Sequence, residues 1–147
     1  MDATQVPPRP QYVSSPATKK KPKGLAPVSK KRRKLNREAK PTRDQLRKDF
    51  KLCMKCGKRK ATDIHEIPRG CNRENALKYR EALLYLDRDC HEELGDYALW
   101  PPSRQYALKL VADPEHYDRE LLNALRGKDT DAISASDVAR HLTLKEI

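Results

Sequence analysis

The stretch from Cys53 to Glu93 reads CMKCGKRKATDIHEIPRGCNRENALKYREALLYLDRDCHEE, and the residues at its two ends decide the expected fold. Cys53 and Cys56 stand two residues apart, a spacing at which two thiolates chelate one tetrahedral metal, and Gly57 lets backbone amides approach the sulfurs in a tight knuckle. Cys90 can bring a third thiolate to the same ion by closing a loop of more than thirty residues. The fourth position is open. Asp87 stands where a second Cys-x-x-Cys pair would need a cysteine, and its carboxylate is an acceptable zinc ligand; Cys71 can instead swing in from the loop; a water or an incomplete site are the remaining options. Cys53, Cys56, Cys90, Asp87 and Cys71 are thus the candidate ligands of a structural Zn2+.

Between these cysteines the pattern changes period. Ala61 to Ile67 reads as a strand with Thr62, Ile64 and Glu66 on one face and Asp63, His65 and Ile67 on the other, ended by Pro68 and Gly70. Asn72 to about Arg80 reads as helix, Leu83 to Leu86 as a short apolar strand, and Asp89 to Leu94 as a helix closed by Gly95. Upstream, Thr42 can cap a short helix to about Phe50, with Leu46 and Phe50 on one face. Downstream of Trp100-Pro101-Pro102, Ser103 can cap a helix to about Val111. Asp113-Pro114-Glu115 starts a second, with Tyr117, Leu121, Leu122 and Leu125 on one side, and a last helix begins near Ser136. Trp100 is expected to anchor this tail by packing, and His116 and His141 to lie on the surface.

Composition bounds what such a chain can do. At 147 residues with a mean hydropathy of -0.95 it has the length of about one domain and little apolar mass for a large core, so a metal staple is expected. The net charge of +11 is concentrated. Residues 1 to 51 hold 16 Lys and Arg against 4 Asp and Glu, while the other 96 are close to balanced. Residues 1 to 41, rich in proline and carrying the clusters Lys19-Lys20-Lys21 and Lys30-Lys31-Arg32-Arg33-Lys34, are expected to form a disordered basic arm. Such a polycation points to a polyanionic partner, because phosphate contact releases counterions whatever the base sequence. No apolar run resembles a signal peptide or could span a bilayer, which favours a reducing compartment and metal thiolates over disulfides. The expected location is the cytoplasm of a bacterial host for a phage-encoded chain, or the nucleus in a eukaryote, where the Lys30 to Lys34 run would read as a localisation signal.

His65 on the strand and His91 beside Cys90 suggest a second cation site, since phosphodiester hydrolysis needs a base to activate water and a cation to hold the scissile phosphate. The series Cys53-x-x-Cys56, His65-Glu66-Ile67-x-Arg69-Gly70, Asn72-Arg73-Glu74, Lys78-Tyr79 and Cys90-His91 resembles HNH nucleases of the ββα-metal group, especially small phage and prophage members with zinc-binding cysteines. The resemblance covers roughly residues 45 to 97. It implies an α+β fold: a zinc-stapled, treble-clef-like ββα core over residues 42–98, followed by a helical extension over 99–147. It further implies His65 as general base, His91 as a ligand of a catalytic Mg2+ or Mn2+, and Cys53, Cys56 and Cys90 as structural ligands.

Three positions depart from the family pattern. Ile64 precedes the base where a metal-binding His or Asp is usual, Ala82 falls near the middle asparagine, and Asp87 replaces a cysteine. Asp63, on the same strand face as His65, is the expected replacement ligand, with Glu66 second; Asn72 or Asn75 would have to serve for the asparagine. Lys30, Lys31, Arg32, Arg33, Lys34, Arg69 and Arg73 are the expected nucleic-acid contacts. The tail segment Arg104-Gln105-Tyr106-Ala107-Leu108-Lys109 suits a phage-type relative and implies no separate activity. The leading expectation is a metal-dependent endonuclease acting on DNA, branched or single-stranded DNA included, with a homodimer as one option. The alternatives are a non-catalytic zinc module that binds DNA or RNA, and a scaffold whose helical tail binds protein.

Overall fold

A helix of 20 residues, α1 (Lys30–Asp49), precedes the first cysteine pair, where the residue pattern predicts coil to residue 41 and a helix only from Thr42. The computed structural model describes residues 24, 26–128, 130–144 and 147; the proline-rich remainder of the expected arm lies outside them. The physical reason for the longer helix is a stripe at helical spacing. Ala39 and Leu46 are buried, and Leu35, Thr42 and Phe50 are half-buried in the same row. Ser29 caps its start by accepting the Arg32 amide on Oγ at 3.2 Å, and Pro41 is carried inside the helix rather than ending it. The disordered reading of residues 30–41 is therefore corrected to helix.

Beyond Phe50 the chain forms the knuckle. Leu52 pairs with Lys60 in an isolated bridge, Cys53 N–H donates to Arg59 O at 2.8 Å, and Gly57 turns with φ of 64° while donating to Cys53 O. A residue with a β-carbon would be strained at that φ. Strand β1 (Asp63–Glu66) pairs antiparallel with β2 (Leu83–Leu86), with Asp63 opposite Leu86 and His65 opposite Leu84. The Met54 amide donates to Tyr85 O at 2.9 Å, so the knuckle is hydrogen-bonded to the hairpin.

The expected helix from Asn72 to Arg80 is broken up. A 3-10 turn (Gly70–Asn72), the short α2 (Arg73–Ala76) and a second 3-10 turn (Arg80–Ala82) carry the chain across instead. Helix α3 (Arg88–Leu94) starts one residue earlier than the pattern predicts, because Asp87 caps it by accepting the Cys90 amide at 3.1 Å.

The tail contains α4 (Pro102–Ala112), a 3-10 turn (Pro114–His116), α5 (Arg119–Leu125) and α6 (Ala135–Thr143). The Asp113-Pro114-Glu115 signal thus yields only a turn, and α5 starts at a second cap, Asp118. A Ser134 and Asp137 capping box starts α6. Trp100, Tyr106, Leu108 and Leu122 from the tail share one hydrophobic cluster with Leu46, Leu83, Leu84, Leu86 and Leu94. Trp100 is 1 % exposed and donates its indole N–H to Glu93, as befits an anchor. His141, expected at the surface, is buried with its Nε2 2.9 Å from Ser103 Oγ. Among the described residues no helix is long and apolar enough to cross a membrane. The whole is a small α+β structure of six helices and a two-stranded sheet among the described residues.

Candidate metal centre and the adjoining histidine pair

The knuckle supplies Cys53 and Cys56, and the start of α3 supplies Asp87 and Cys90. One ligand atom from each of these four lies within 4.8 Å of all the others. The elements bring them together through the bond from the knuckle to β2 and through the cap, which aims Asp87 back toward its own first turn. Asp87 Oδ2 lies 3.2 Å from Cys56 Sγ, and the Arg59 guanidinium stands 3.4 Å from Oδ1. The group can hold a metal ion, and three thiolates with one carboxylate are compatible with structural zinc. Of the alternatives for the fourth position, Asp87 is the residue in place. Cys71 is exposed in the first 3-10 turn and lies outside the group.

Without an ion the protons of this group are unevenly held. Burial, then Asp87 and Cys53, push the Cys90 thiol up to about 12. Backbone amides of Arg59 and Lys58 hold the Cys56 thiol below its ordinary value. Burial would raise Asp87, but hydrogen bonds from the Cys90 thiol and amide and from Cys53 and Cys56 keep its carboxyl well below the usual range. A bound cation would have to displace the thiol protons, so binding here is proton-linked.

His65 and His91 meet edge to face. Their ring centroids are 5.4 Å apart and the planes cross at 74°. β1 directs His65 inward, where it is 6 % exposed, and α3 places His91 one residue after Cys90, half-buried. Asp63, two residues before His65, follows it to the same face: its Oδ2 lies 3.7 Å from His91 Nδ1 and accepts from Arg88 Nη1 at 3.1 Å. The three residues read from the sequence as catalytic are therefore neighbours. They do not make a chelate by themselves, since the cysteine group is the one cluster of at least three such side chains within reach of one ion among the described residues. Burial, and then the neighbouring His91, lower the affinity of His65 for a proton, against the pull of a hydrogen bond from its Nε2 to Gln105 Oε1 at 2.9 Å. Glu66 is turned away from this pair and accepts Arg73 at 3.1 Å.

Gln105 carried no signal in the motif and is the residue sequence reasoning missed. It comes from α4, is fully buried, and also donates from Nε2 to Leu94 O at 3.3 Å and Trp100 O at 3.0 Å. A polar residue at the head of the otherwise apolar Tyr106-Ala107-Leu108 run was the available clue. Asn72, the expected stand-in for the family asparagine, instead donates to Arg126 O at 2.7 Å and packs against Gly127, tying the loop to the end of α5.

The basic residues divide. Lys31 and Arg32 stand 3.5 Å and 3.9 Å from Glu74, and Lys34 stands 4.0 Å from Glu38. Lys30 and Arg33 are exposed on the outer face of α1. Arg69 stacks on Tyr97 at 3.1 Å from the ring centroid, and Arg73 is engaged by Glu66. Comparisons with protein-family models, with curated proteins and with solved structures return no match.

Proposed function

We propose that this chain is a metal-dependent endonuclease of HNH type that hydrolyses DNA phosphodiester bonds, with a structural zinc at Cys53, Cys56, Asp87 and Cys90. The observation that carries the reading is the approach of the His65 and His91 rings to 5.4 Å, with Asp63 beside them, next to the start of α3 where Asp87 and Cys90 enter the cysteine group. In this reading His65 takes the proton of the attacking water. His91 and Asp63 would hold a Mg2+ or Mn2+ ion, a type of cation that takes few protein ligands. When bound, it would supply charge stabilisation for the scissile phosphate and leaving oxygen. Lys30, Arg33 and their neighbours on α1 supply affinity for the phosphate backbone without base choice.

Nicking of supercoiled plasmid by the full chain tests this, with Mg2+, with Mn2+ and with chelator. The wild type is expected to nick in either ion and stop in chelator, and His65→Ala to be slower by roughly 10²-fold or more. Retained cutting by His65→Ala removes the base assignment. A second reading, a zinc module that binds nucleic acid without cutting it, draws on the Arg88 guanidinium already seated on Asp63. It predicts salt-sensitive binding and no nicking with any divalent ion.

A further inference from the structure

Gln105 links the helical tail to His65, and its hydrogen bonds leave it one orientation. A carboxamide has two donors on nitrogen and an acceptor on oxygen. Two backbone carbonyls, Leu94 O at the end of α3 and Trp100 O just before α4, lie 3.3 Å and 3.0 Å from Nε2. Turning the amide over would set its oxygen against both carbonyl oxygens in a fully buried place, leaving acceptors facing acceptors. Oε1 must therefore face His65 Nε2, at 2.9 Å. An acceptor in that position requires a proton on Nε2. His65 Nδ1 then carries the lone pair. Nδ1 has no hydrogen-bond partner among the described residues, and no buried side-chain nitrogen or oxygen among them lacks a partner, so Nδ1 reaches solvent.

We propose that Gln105 is the positioning residue of the site: it fixes neutral His65 as the Nε2–H tautomer and thereby turns the Nδ1 lone pair toward the water to be activated. The assignment rests on the reading of His65 as the base, but the tautomer is observable without any cleavage. It also makes the tail part of the site, because Gln105 is held by carbonyls on both sides of the junction between α3 and α4.

Two variants separate positioning from packing. Gln105→Glu keeps an acceptor for His65 and, as the neutral acid that the two facing carbonyls favour, one donor to them; Gln105→Met keeps neither. Long-range imidazole nitrogen NMR on the full chain, at a pH where His65 is neutral, reads which ring nitrogen bears the proton. The expected result is Nε2–H in the wild type and in Gln105→Glu, and a mixture of tautomers in Gln105→Met. Plasmid nicking is expected to fall in kcat by roughly 10- to 100-fold in Gln105→Met, with KM little changed, and to be largely rescued in Gln105→Glu. A wild-type ring protonated on Nδ1 overturns the proposal, as does a Gln105→Met protein that keeps both the Nε2–H tautomer and wild-type nicking, or an equal loss of activity in the two variants. A wild type that shows Nε2–H, lost only in Gln105→Met, yet cuts nothing upholds the role of Gln105 in placing the ring and sinks the nuclease reading alone.

Discussion

Asp87 is placed for two tasks with one carboxylate, a helix cap and a metal ligand, and substitution can separate them. Oδ1 accepts the Cys90 amide at the start of α3, while Oδ2 faces Cys56 Sγ within the metal group. Asparagine is as good a cap as aspartate but a neutral, poorer ligand. Asp87→Asn is expected to weaken zinc binding by more than the roughly 10- to 100-fold typical of losing an outer partner of a metal site. Asp87→Ala should lose a similar affinity and also about 1 kcal/mol of stability from the missing cap. Competition with a chromophoric chelator measures the first effect, and thermal melts of both variants in chelator measure the second. Wild-type zinc affinity in Asp87→Asn would show that the carboxylate is no ligand. At this scale the sequence was legible wherever spacing is local: the two-residue gap of Cys53 and Cys56, and the alternation that puts Asp63 with His65. Asp87 and Cys71 were indistinguishable, because loop closure alone brings either within reach. For Gln105 the sequence offered only a polar residue ahead of an apolar run, because its partner lies forty residues away.

At the scale of elements, the largest change is that the basic run belongs to a helix. In coil all five of Lys30, Lys31, Arg32, Arg33 and Lys34 would be equivalent. On α1 the turn of the helix sets Lys31 and Arg32 toward Glu74 and leaves Lys30 and Arg33 on the face opposite Leu35, Ala39 and Leu46. Replacing Lys30 and Arg33 by alanine is expected to weaken DNA binding and to reduce the slope of log affinity against log salt by up to roughly 0.9 for each phosphate that is no longer neutralised. The double replacement of Lys31 and Arg32 by alanine, whose charges are already partly balanced by Glu74, should change that slope less. Filter binding over a salt series measures both; equal slopes in the two variants would return the run to an undifferentiated polycation. The helix escaped the sequence reading because Pro41 reads as a stop, and because the few apolar residues in a stretch dominated by charge form a stripe only when joined to Leu46 and Phe50. The short apolar strand β2 and the Gly95 end of α3 were legible for the opposite reason: their signals are local and uncontested.

Across the whole molecule, a buried ionic cluster fastens the tail to the hairpin. Lys109 is fully buried and donates from Nζ to Arg80 O, Leu83 O and Asp113 Oδ2 at 2.8, 2.9 and 3.0 Å. Burial pulls the Lys109 ammonium below its ordinary pKa; it also works to raise Asp113, but the Arg80 and Lys109 cations override it and hold that carboxyl at about 2. A carboxyl depressed on folding contributes stability above its unfolded pKa and loses it as pH falls through the folded value, so this contribution should disappear from about pH 4 to about pH 2. Its size is on the order of 2 kcal/mol. Urea midpoints measured across that range should therefore show the gap between wild type and Asp113→Asn widest above pH 4 and closing toward pH 2, whereas a constant gap would mean that the pair is not what the acid removes. The sequence by itself determined the local chemistry of this protein: the chelating spacing, the strand that carries His65, the helix that carries His91 and the concentration of positive charge, each encoded within a few neighbouring residues. Only the tertiary structure decided that Asp87 rather than Cys71 stands in the cysteine group, that the basic run from Lys30 to Lys34 is helix, and that the tail reaches His65 through Gln105. These depend on which distant surfaces bury one another, and a shared hydrophobic core is a property of the folded chain that no short window of it contains.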